Sequence, residues 1–355
     1  MTHRVSINTK NSYDVFIGSG LLKDCGGIIR SKVGLCRTAV VTDSAVEKLY
    51  LPKVEESLRQ AGFEVCAFSF PAGEGSKNMA TLSELLEFLA NNQLTRTDCV
   101  VALGGGVVGD LAGFAAGCYL RGVRFVQLPT TLLAAVDSSV GGKTAIDLSA
   151  GKNLAGVFHQ PSTVICDTDC LNTLPDEIFA CGVAEAIKAG ILDGEALFSL
   201  LETGGAKENI ANIIARCVAF KAKVVEKDEF ETGIRKTLNL GHTVGHAIET
   251  CSGYTIPHGQ AVAMGMAVIA RSAVSQGLCS RETARRILNA LQKNGLPAIT
   301  RFSSKELADA ALKDKKRAGG AITLVMPREI GNCTLETLPI DRLQPIIEAG
   351  LEGIT

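Results

Sequence analysis

Short apolar runs punctuate the first half of the chain, and longer stretches with helical spacing lie between them. Thr38 to Thr42 (TAVVT) predicts a buried strand ending at Asp43. Residues 78–91 carry Met79, Leu82, Leu85, Leu86 and Leu89 at helical intervals, which predicts a helix with one apolar face. Cys99 to Leu103 (CVVAL) predicts a second strand, followed by a glycine cluster and a helix over 107–119. Val123 to Leu128 and Thr163 to Cys166 predict two more strands. Strands alternating with helices imply a mostly parallel sheet covered on both faces. After Leu174-Pro175 the pattern changes. Helical spacing then dominates to about residue 313, broken by glycines at 204–205, 241, 253 and 277. A strand over 321–326, with a partner near 333–338, closes the pattern. The expected division is an α/β domain over 1–172 and a mostly α-helical domain over 173–355.

Composition narrows the class. A chain of 355 residues fits about two domains. The net charge of −1, from 36 Lys+Arg against 37 Asp+Glu, excludes a polybasic nucleic-acid binder and an acidic tail. The segment MTHRVSINTK lacks the apolar core of a signal peptide, and the apolar run Ala261 to Ala270 is too short to span a bilayer. No pair among the twelve Cys has C-x-x-C spacing, and most sit in apolar stretches, as Cys66, Cys99 and Cys217 do. Buried thiols in a reducing compartment follow. The expectation is a soluble cytoplasmic protein with no nucleic-acid and no membrane partner.

Glycine is abundant at 37 residues, and one cluster has a recognisable order. Residues 104–109 (GGGVVG) fit G-x-G-x-x-G between a predicted strand and a predicted helix. Glycine permits a tight turn, and without a side chain it lets a pyrophosphate approach backbone N–H groups at a helix N-terminus. The bland alternative is a turn that packs a strand on a helix. The cluster lies about 100 residues into the chain rather than after the first strand, and Asp43, the candidate ribose-binding carboxylate, lies upstream of it. A nucleotide site on a different strand order is therefore expected. Asp110 reads either as a first-turn acid complementing the helix dipole or as a residue facing the cofactor. Residues 129–131 (PTT) supply hydroxyls at the carboxyl end of the next strand.

Histidine is scarce at five residues, yet His242, His246 and His258 fall close together. Zinc takes imidazole and carboxylate, and a catalytic site keeps one position open. The i,i+4 spacing of His242 and His246 predicts two ligands on one helix face, with a later His or a Glu as the third. Glu249 shares that helix. A His pair that merely caps or solvates a helix is the alternative. In GVAEAIKAGIL (182–192), Glu185 and Lys188 share one face at i,i+3, and their small apolar neighbours predict a buried pair rather than a surface salt bridge. On a predicted helix over 208–226, Lys221 sits at the centre of a stripe formed by Ile214, Cys217, Val218 and Val225. A lysine there requires an anion unless it snorkels from the edge. Further cations and amides lie in glycine-containing stretches expected to be loops: Lys143, Lys152, Asn153, Arg235 and Asn239. So many cations beside an expected metal point to a small, highly anionic substrate.

These segments together resemble 3-dehydroquinate synthase, within the sugar-phosphate cyclases. The matching blocks run in order: GGGVVGDLAGFAA (104–116), RGVRFVQLPTTLLAAVDSSVGGKTAID (121–147), GKNLAGVFHQP (151–161), GVAEAIKAG (182–190), DEFETGIRKTLNLGHTVGHAIE (228–249) and HGQAVAMGM (258–266). The resemblance implies an α/β N-terminal nucleotide-binding domain plus a mostly α-helical C-terminal metal-binding domain, with the active site between them in a homodimer. It implies Glu185, His242 and His258 as ligands of Zn²⁺ or Co²⁺, which makes His246 a nearby active-site group. NAD would be held by Asp43, Glu74, Lys77, Gly105, Gly106, Asp110, Thr130, Thr131, Leu133, Lys143, Lys152 and Thr173. Substrate would meet Arg121, Asp137, Lys143, Lys152, Asn153, Lys188, Lys221, Arg235, Asn239 and His246, with Lys315 or Lys316 added.

The implied lyase reaction converts 3-deoxy-D-arabino-heptulosonate 7-phosphate to 3-dehydroquinate and phosphate, in the shikimate route to chorismate and the aromatic amino acids. It runs by transient oxidation, phosphate elimination, re-reduction and aldol closure. Three alternatives stand beside it. Sibling cyclases making deoxy-inosose or valiolone-type products share the cofactor and metal sites; Asn153, His246 and the lysines at 315–316 favour dehydroquinate. A metal-dependent polyol dehydrogenase would not need so many cations. A non-catalytic nucleotide-binding module would not need Lys221 or the Glu/His/His set.

Overall fold

The computed structural model describes residues 2–313 and 320–352. Its contacts divide the chain into two units, one of residues 1–175 with 221–230, the other of residues 176–220 with 231–355. The first unit holds strands β1 (His3–Ile7), β2 (Tyr13–Gly18), β3 (Arg37–Asp43), β4 (Glu64–Phe70), β5 (Cys99–Gly104), β6 (Arg124–Pro129), β7 (Lys143–Leu148), β8 (Gly151–Phe158) and β9 (Thr163–Asp167). Its α-helices are α1 (Cys25–Val33), α2 (Val46–Gln60), α3 (Met79–Asn91) and α4 (Gly106–Cys118). Seven strands form one sheet in the order β1-β2-β9-β6-β5-β3-β4. All neighbouring pairs are parallel except the β1–β2 edge pair.

Alternation along the central strands explains why both faces are covered. Ala39, Val41, Val100 and Ala102 pack with Leu85 of α3 and Leu111 of α4. Val40, Val101, Leu103 and Val126 pack on the other face with Ile29 of α1 and with Val54 and Leu58 of α2. A parallel strand buried on both faces needs an unbroken apolar run, which is what TAVVT and CVVAL supply.

The strand order also creates a crevice. The chain leaves β3 toward β4 on one side and leaves β5 toward β6 on the other, although β3 and β5 are neighbours. The carboxyl ends of two such strands part there, and ligands of open α/β sheets bind at that point. Asp43 and Gly104 terminate these two strands.

Lys143, Lys152 and Asn153 do not lie in loops, as the glycine pattern suggested. They belong to a two-stranded hairpin of β7 and β8. Only Thr144 and Ile146 of β7 are buried, so its apolar alternation is too weak to read as a strand.

The second unit holds α5 (Asp176–Asp193), α6 (Glu195–Glu202), the start of α7 (Ile210–Lys227), α8 (His242–Cys251), α9 (His258–Ser275), α10 (Arg281–Lys293), α11 (Ser304–Lys313), the antiparallel pair β10 (Ala321–Glu329) and β11 (Asn332–Pro339), and α12 (Leu343–Leu351). Residues 221–230 follow the first helices in sequence yet cluster with the first unit. No helix among the described residues is long and apolar enough to cross a membrane. No disulfide joins cysteines among the described residues.

Some of the glycine excess serves helix contacts rather than loops. A Cβ on Gly259 would lie 2.3 Å from the Cys181 Cα, and one on Gly265 would lie 2.1 Å from the Gly241 carbonyl oxygen. Those gaps let α9 lie directly against α5 and against the start of α8.

Candidate functional site

In the first unit, the glycine turn closes the end of β5. None of Gly104, Gly105, Gly106 and Gly109 has a positive φ, so the turn does not need glycine for its backbone angles. It needs glycine for space. A Cβ on Gly104 would sit 2.4 Å from Val108 Cγ2, one on Gly105 2.9 Å from Thr131 Cγ2, and one on Gly109 2.7 Å from Gln127 Oε1. Gly105 caps α4 without any side-chain bond to its first-turn amides. That leaves backbone donors suited to an anion. The Thr130 amide donates to the Gly104 carbonyl at 2.9 Å, fixing the end of β6 beside the turn. The Thr130 hydroxyl is buried with no hydrogen-bond partner. Leu133 and Ser138 face Gly106.

Asp43 stands at the end of β3, where its Oδ1 accepts from the Ala45 and Val46 amides at 2.9 and 3.0 Å. Thr173 shares a 2.5 Å hydrogen bond with the Tyr50 hydroxyl of α2.

Asp110 is the fifth residue of α4, not a first-turn acid. Its partner is a side chain rather than the helix dipole. Lys77 Nζ lies 2.6 Å from Asp110 Oδ2 and 2.5 Å from Asn153 Oδ1, and Lys77 is only 4% exposed. Burial pushes the Asp110 carboxyl up from its ordinary range, against the pull of Lys77. Lys152 Nζ lies 3.5 Å from Glu74. The Lys77 carbonyl accepts from the Asp147 amide at 2.8 Å, and Asp147 accepts from the Asn153 amide at 2.8 Å. Lys77 therefore ties α4 to the tip of the hairpin.

Lys221 meets its anion within the same unit, as its place in an apolar stripe required. It donates to the Asp137 carboxylate and, at 2.7 Å, to the Asp137 carbonyl.

Arg121 is not brought to this group. It follows the far end of α4, a 13-residue helix, so about 20 Å separates it from Gly106. There it lines a cavity of about 930 Å³ with Lys32, Arg96, Arg124 and Phe158. Leu120 and Arg121 both have positive φ, 49° and 68°. Lys143 starts β7 opposite Phe158 and is exposed.

In the second unit, α5, α8 and α9 contribute one cluster. The ligand atoms of Glu185, His242 and His258 all lie within 4.8 Å of one another. Glu185 Oε1 is 3.6 Å from His242 Nε2 and 3.6 Å from His258 Nε2. A tetrahedral cation with bonds of about 2.1 Å needs ligand atoms roughly 3.4 Å apart, so this set fits a Zn²⁺-like ion. Both rings have Nδ1 engaged: His242 with the Leu240 carbonyl at 3.1 Å, His258 with Glu249 at 3.3 Å. Each Nε2 is thereby turned toward Glu185.

Burial, then the nearby Lys188 ammonium, pushes His242 down to about 3, which keeps its ring neutral. Burial also opposes charge on His258, but Glu185 and Glu249 outweigh it and raise this ring to about 10. Lys188 Nζ lies 2.5 Å from Glu185 Oε2.

His246, paired with His242 by spacing alone, stands apart from Glu185. Its side chain is 61% exposed and its Nε2 is 4.0 Å from Glu249. The i,i+4 rule identifies residues on one helix face, but it cannot say which of them meets the Glu185 carboxylate of α5. Arg235 and Asn239 lie on a 3₁₀ turn, Ile234–Asn239, that leads into α8. Arg235 is 1% exposed. Asn239 donates to Glu231 at 3.0 Å. Glu231 was not singled out from the acid-rich stretch DEFET; its positive φ of 60° is a backbone signal that sequence does not carry. Lys315 and Lys316 lie outside the described residues.

Comparison with known proteins gives these groups a context. Residues 67–181 match the 3-dehydroquinate synthase N-terminal family, and residues 182–317 match the 3-dehydroquinate synthase C-terminal family. A 3-dehydroquinate synthase of Pelobacter propionicus is 46% identical over 97% of each chain. One of Enterococcus faecalis is 43% identical over 95% of this chain and 96% of its own. Among solved structures, 2-deoxy-scyllo-inosose synthase with carbaglucose-6-phosphate, NAD⁺ and Co²⁺ superposes with a TM-score of 0.88 at 25% identity, covering 98% of this chain and 100% of that one. ValA, the 2-epi-5-epi-valiolone synthase of Streptomyces hygroscopicus with NAD⁺ and Zn²⁺, gives 0.87 at 28% identity, covering 98% of each. These two cyclases that make other products are thus similar in fold at lower identity, while the two near-full-length relatives at 46% and 43% carry one name. The chain belongs to the 3-dehydroquinate synthase family.

Proposed function

We propose that this chain converts 3-deoxy-D-arabino-heptulosonate 7-phosphate to 3-dehydroquinate and phosphate, with NAD and a divalent cation as its cofactors. The observation that carries this reading is the buried Glu185 carboxylate with two imidazole Nε2 atoms at 3.6 Å, in a chain 46% identical to a 3-dehydroquinate synthase along nearly its whole length. Glu185, His242 and His258 would hold Zn²⁺ or Co²⁺. Gly105 and Gly106, with Thr130, Thr131, Leu133 and Asp110, would hold NAD, assisted by Asp43, Glu74, Lys77 and Thr173. When bound, NAD accepts and returns a hydride, and the cation polarises a substrate oxygen.

The remaining work falls to the chain's own side chains. The substrate carries a carboxylate and a phosphate, so it needs several cations: Lys143, Lys152, Lys188, Lys221 and Arg235. Asn153, Asn239 and Asp137 would bind its hydroxyls. His246, exposed and beside Glu249, lies outside the Glu185, His242 and His258 set and would accept or give a proton. Arg121 lies at the opposite end of α4 from the glycine turn, so it would act from a second copy in the expected homodimer. The proposed setting is the cytoplasm.

Incubation with the heptulosonate phosphate, NAD⁺ and Zn²⁺ tests the reading. Phosphate should appear without accumulation of NADH. Steady NADH build-up would instead identify a dehydrogenase, and turnover of glucose 6-phosphate alone would identify a sibling cyclase.

A further inference from the structure

We infer that Glu249 is the positioning residue of the cation centre: its carboxylate holds the His258 ring so that Nε2 points at Glu185. The inference rests on the metal-holding role proposed for Glu185, His242 and His258.

The sequence places His242, His246 and Glu249 at i, i+4 and i+7 of α8, one above another on a single face. Glu249 is 3% exposed. A buried carboxylate is costly without a donor or cation facing it. Its Oε2 lies 3.3 Å from His258 Nδ1, on the side of the ring away from Glu185.

The backbone around Glu249 is pinned as well. Its carbonyl accepts from the Tyr254 amide at 2.8 Å and from the Ser252 hydroxyl at 2.8 Å. These bonds close the turn between α8 and α9, and α9 begins at His258 itself. Gly259 then lets α9 touch α5 at Cys181, one turn before Glu185. The carboxylate, the turn and the helix contact all constrain one imidazole.

The two histidines are held differently. His242 Nδ1 meets a neutral carbonyl, whereas His258 Nδ1 meets a carboxylate. A carboxylate partner fixes the Nδ1–H tautomer, orients the ring and makes Nε2 a stronger donor to a cation. His246, Glu249 and His258 also have ligand atoms within 4.8 Å of one another, which raises a second cation site as the competing use of Glu249. His258 already directs Nε2 at Glu185 and Nδ1 at Glu249, so orientation is the better-supported role.

The test titrates the metal-free full-length chain with Zn²⁺ against a chromophoric chelator, and with Co²⁺ by visible absorption. Wild type, Glu249→Gln, Glu249→Ala and His258→Ala are compared. The expected result is one cation per wild-type chain, none for His258→Ala, and affinity reduced 10- to 100-fold by Glu249→Ala. Glu249→Gln should lose less, because its amide oxygen still accepts from Nδ1–H, and its Co²⁺ bands should shift. Wild-type affinity in both Glu249 variants would overturn the inference and leave the cation site standing. A lower melting temperature of the metal-free variants with unchanged affinity would also overturn it, by showing a purely structural role. Two cations per wild-type chain would make Glu249 a ligand instead. Failure of the wild type to bind, or full binding by His258→Ala, would overturn the underlying site. If Glu249→Ala does not fold, Glu249→Gln decides.

Discussion

Lys188 Nζ lies 2.5 Å from the Glu185 carboxylate, one turn further along α5, and both side chains are buried. Neither charge is stable there alone, because desolvation outweighs any single contact. The ammonium neutralises a carboxylate that also faces two imidazole Nε2 atoms. Replacing Lys188 by Met should cost the metal-free protein about 1–3 kcal/mol, since the buried carboxylate then keeps only the His258 ring as a cationic neighbour. Saturating Zn²⁺ should recover much of that loss by supplying the missing positive charge. Urea unfolding with a chelator and with Zn²⁺ measures the difference; equal loss under both conditions would refute the account.

Gly259 is the point where α9 meets α5. A Cβ there would lie 2.3 Å from the Cys181 Cα and 2.5 Å from its carbonyl oxygen. Backbone cannot swing aside as a side chain can. Gly259→Ala should therefore destabilise by about 1–3 kcal/mol or more and displace the neighbouring His258. Thermal unfolding and Zn²⁺ affinity should both fall. Unchanged affinity in a folded variant would show that the contact does not set the position of His258.

Buried Lys77 bridges the partly exposed Asp110 and the exposed Asn153 at 2.6 and 2.5 Å. Lys77→Met should leave the partly buried Asp110 carboxylate without its cation and cost about 1–3 kcal/mol. The double variant Lys77→Met/Asp110→Asn should recover most of that loss. The raised Asp110 carboxyl makes this contact pH-dependent. A carboxyl with a raised folded value takes up a proton on folding, so it favours the fold at low pH and disfavours it as pH climbs past that value. Loss in Lys77→Met should therefore grow between pH 4 and pH 7. A pH-independent loss would contradict this.

Asp14 ties the sheet edge to a helix. It accepts from Arg4 at 2.9 Å, Ser6 at 2.6 Å and Lys32 at 2.6 Å. Burial alone would raise its carboxyl, but these three donors hold it well below the usual range. The stabilisation is fully present above the ordinary Asp value near ~3.9 and is lost as pH falls below it. Asp14→Asn should lower the melting temperature at pH 7, and the gap to wild type should narrow by pH 3. A gap of constant size would sink the assignment.

The central strands and the helix α3 were legible because burial writes itself into the chain. TAVVT and CVVAL are apolar on both faces since both faces are covered, and Lys221 stood out because a lysine in an apolar stripe needs an anion. The hairpin of β7 and β8 was illegible for the converse reason: with few buried positions it has no strong alternation. The glycine turn is legible too, and the packing alternative accounts for its residue type: contacts with Val108, Thr131 and Gln127 demand glycine there without any positive φ.

By itself, the sequence determined the alternating α/β first half, the change to helices after residue 174, and a short inventory of residues able to bind anions and cations. The tertiary structure decided which of them meet. Spacing along α8 offers His242, His246 and Glu249 equally, because a helix presents every third or fourth residue on one face. Only the packing of α5 and α9 sets Glu185 and His258 beside His242 and leaves His246 exposed. The crossing of three helices depends on where glycine permits contact, and that information is distributed over elements far apart in the chain.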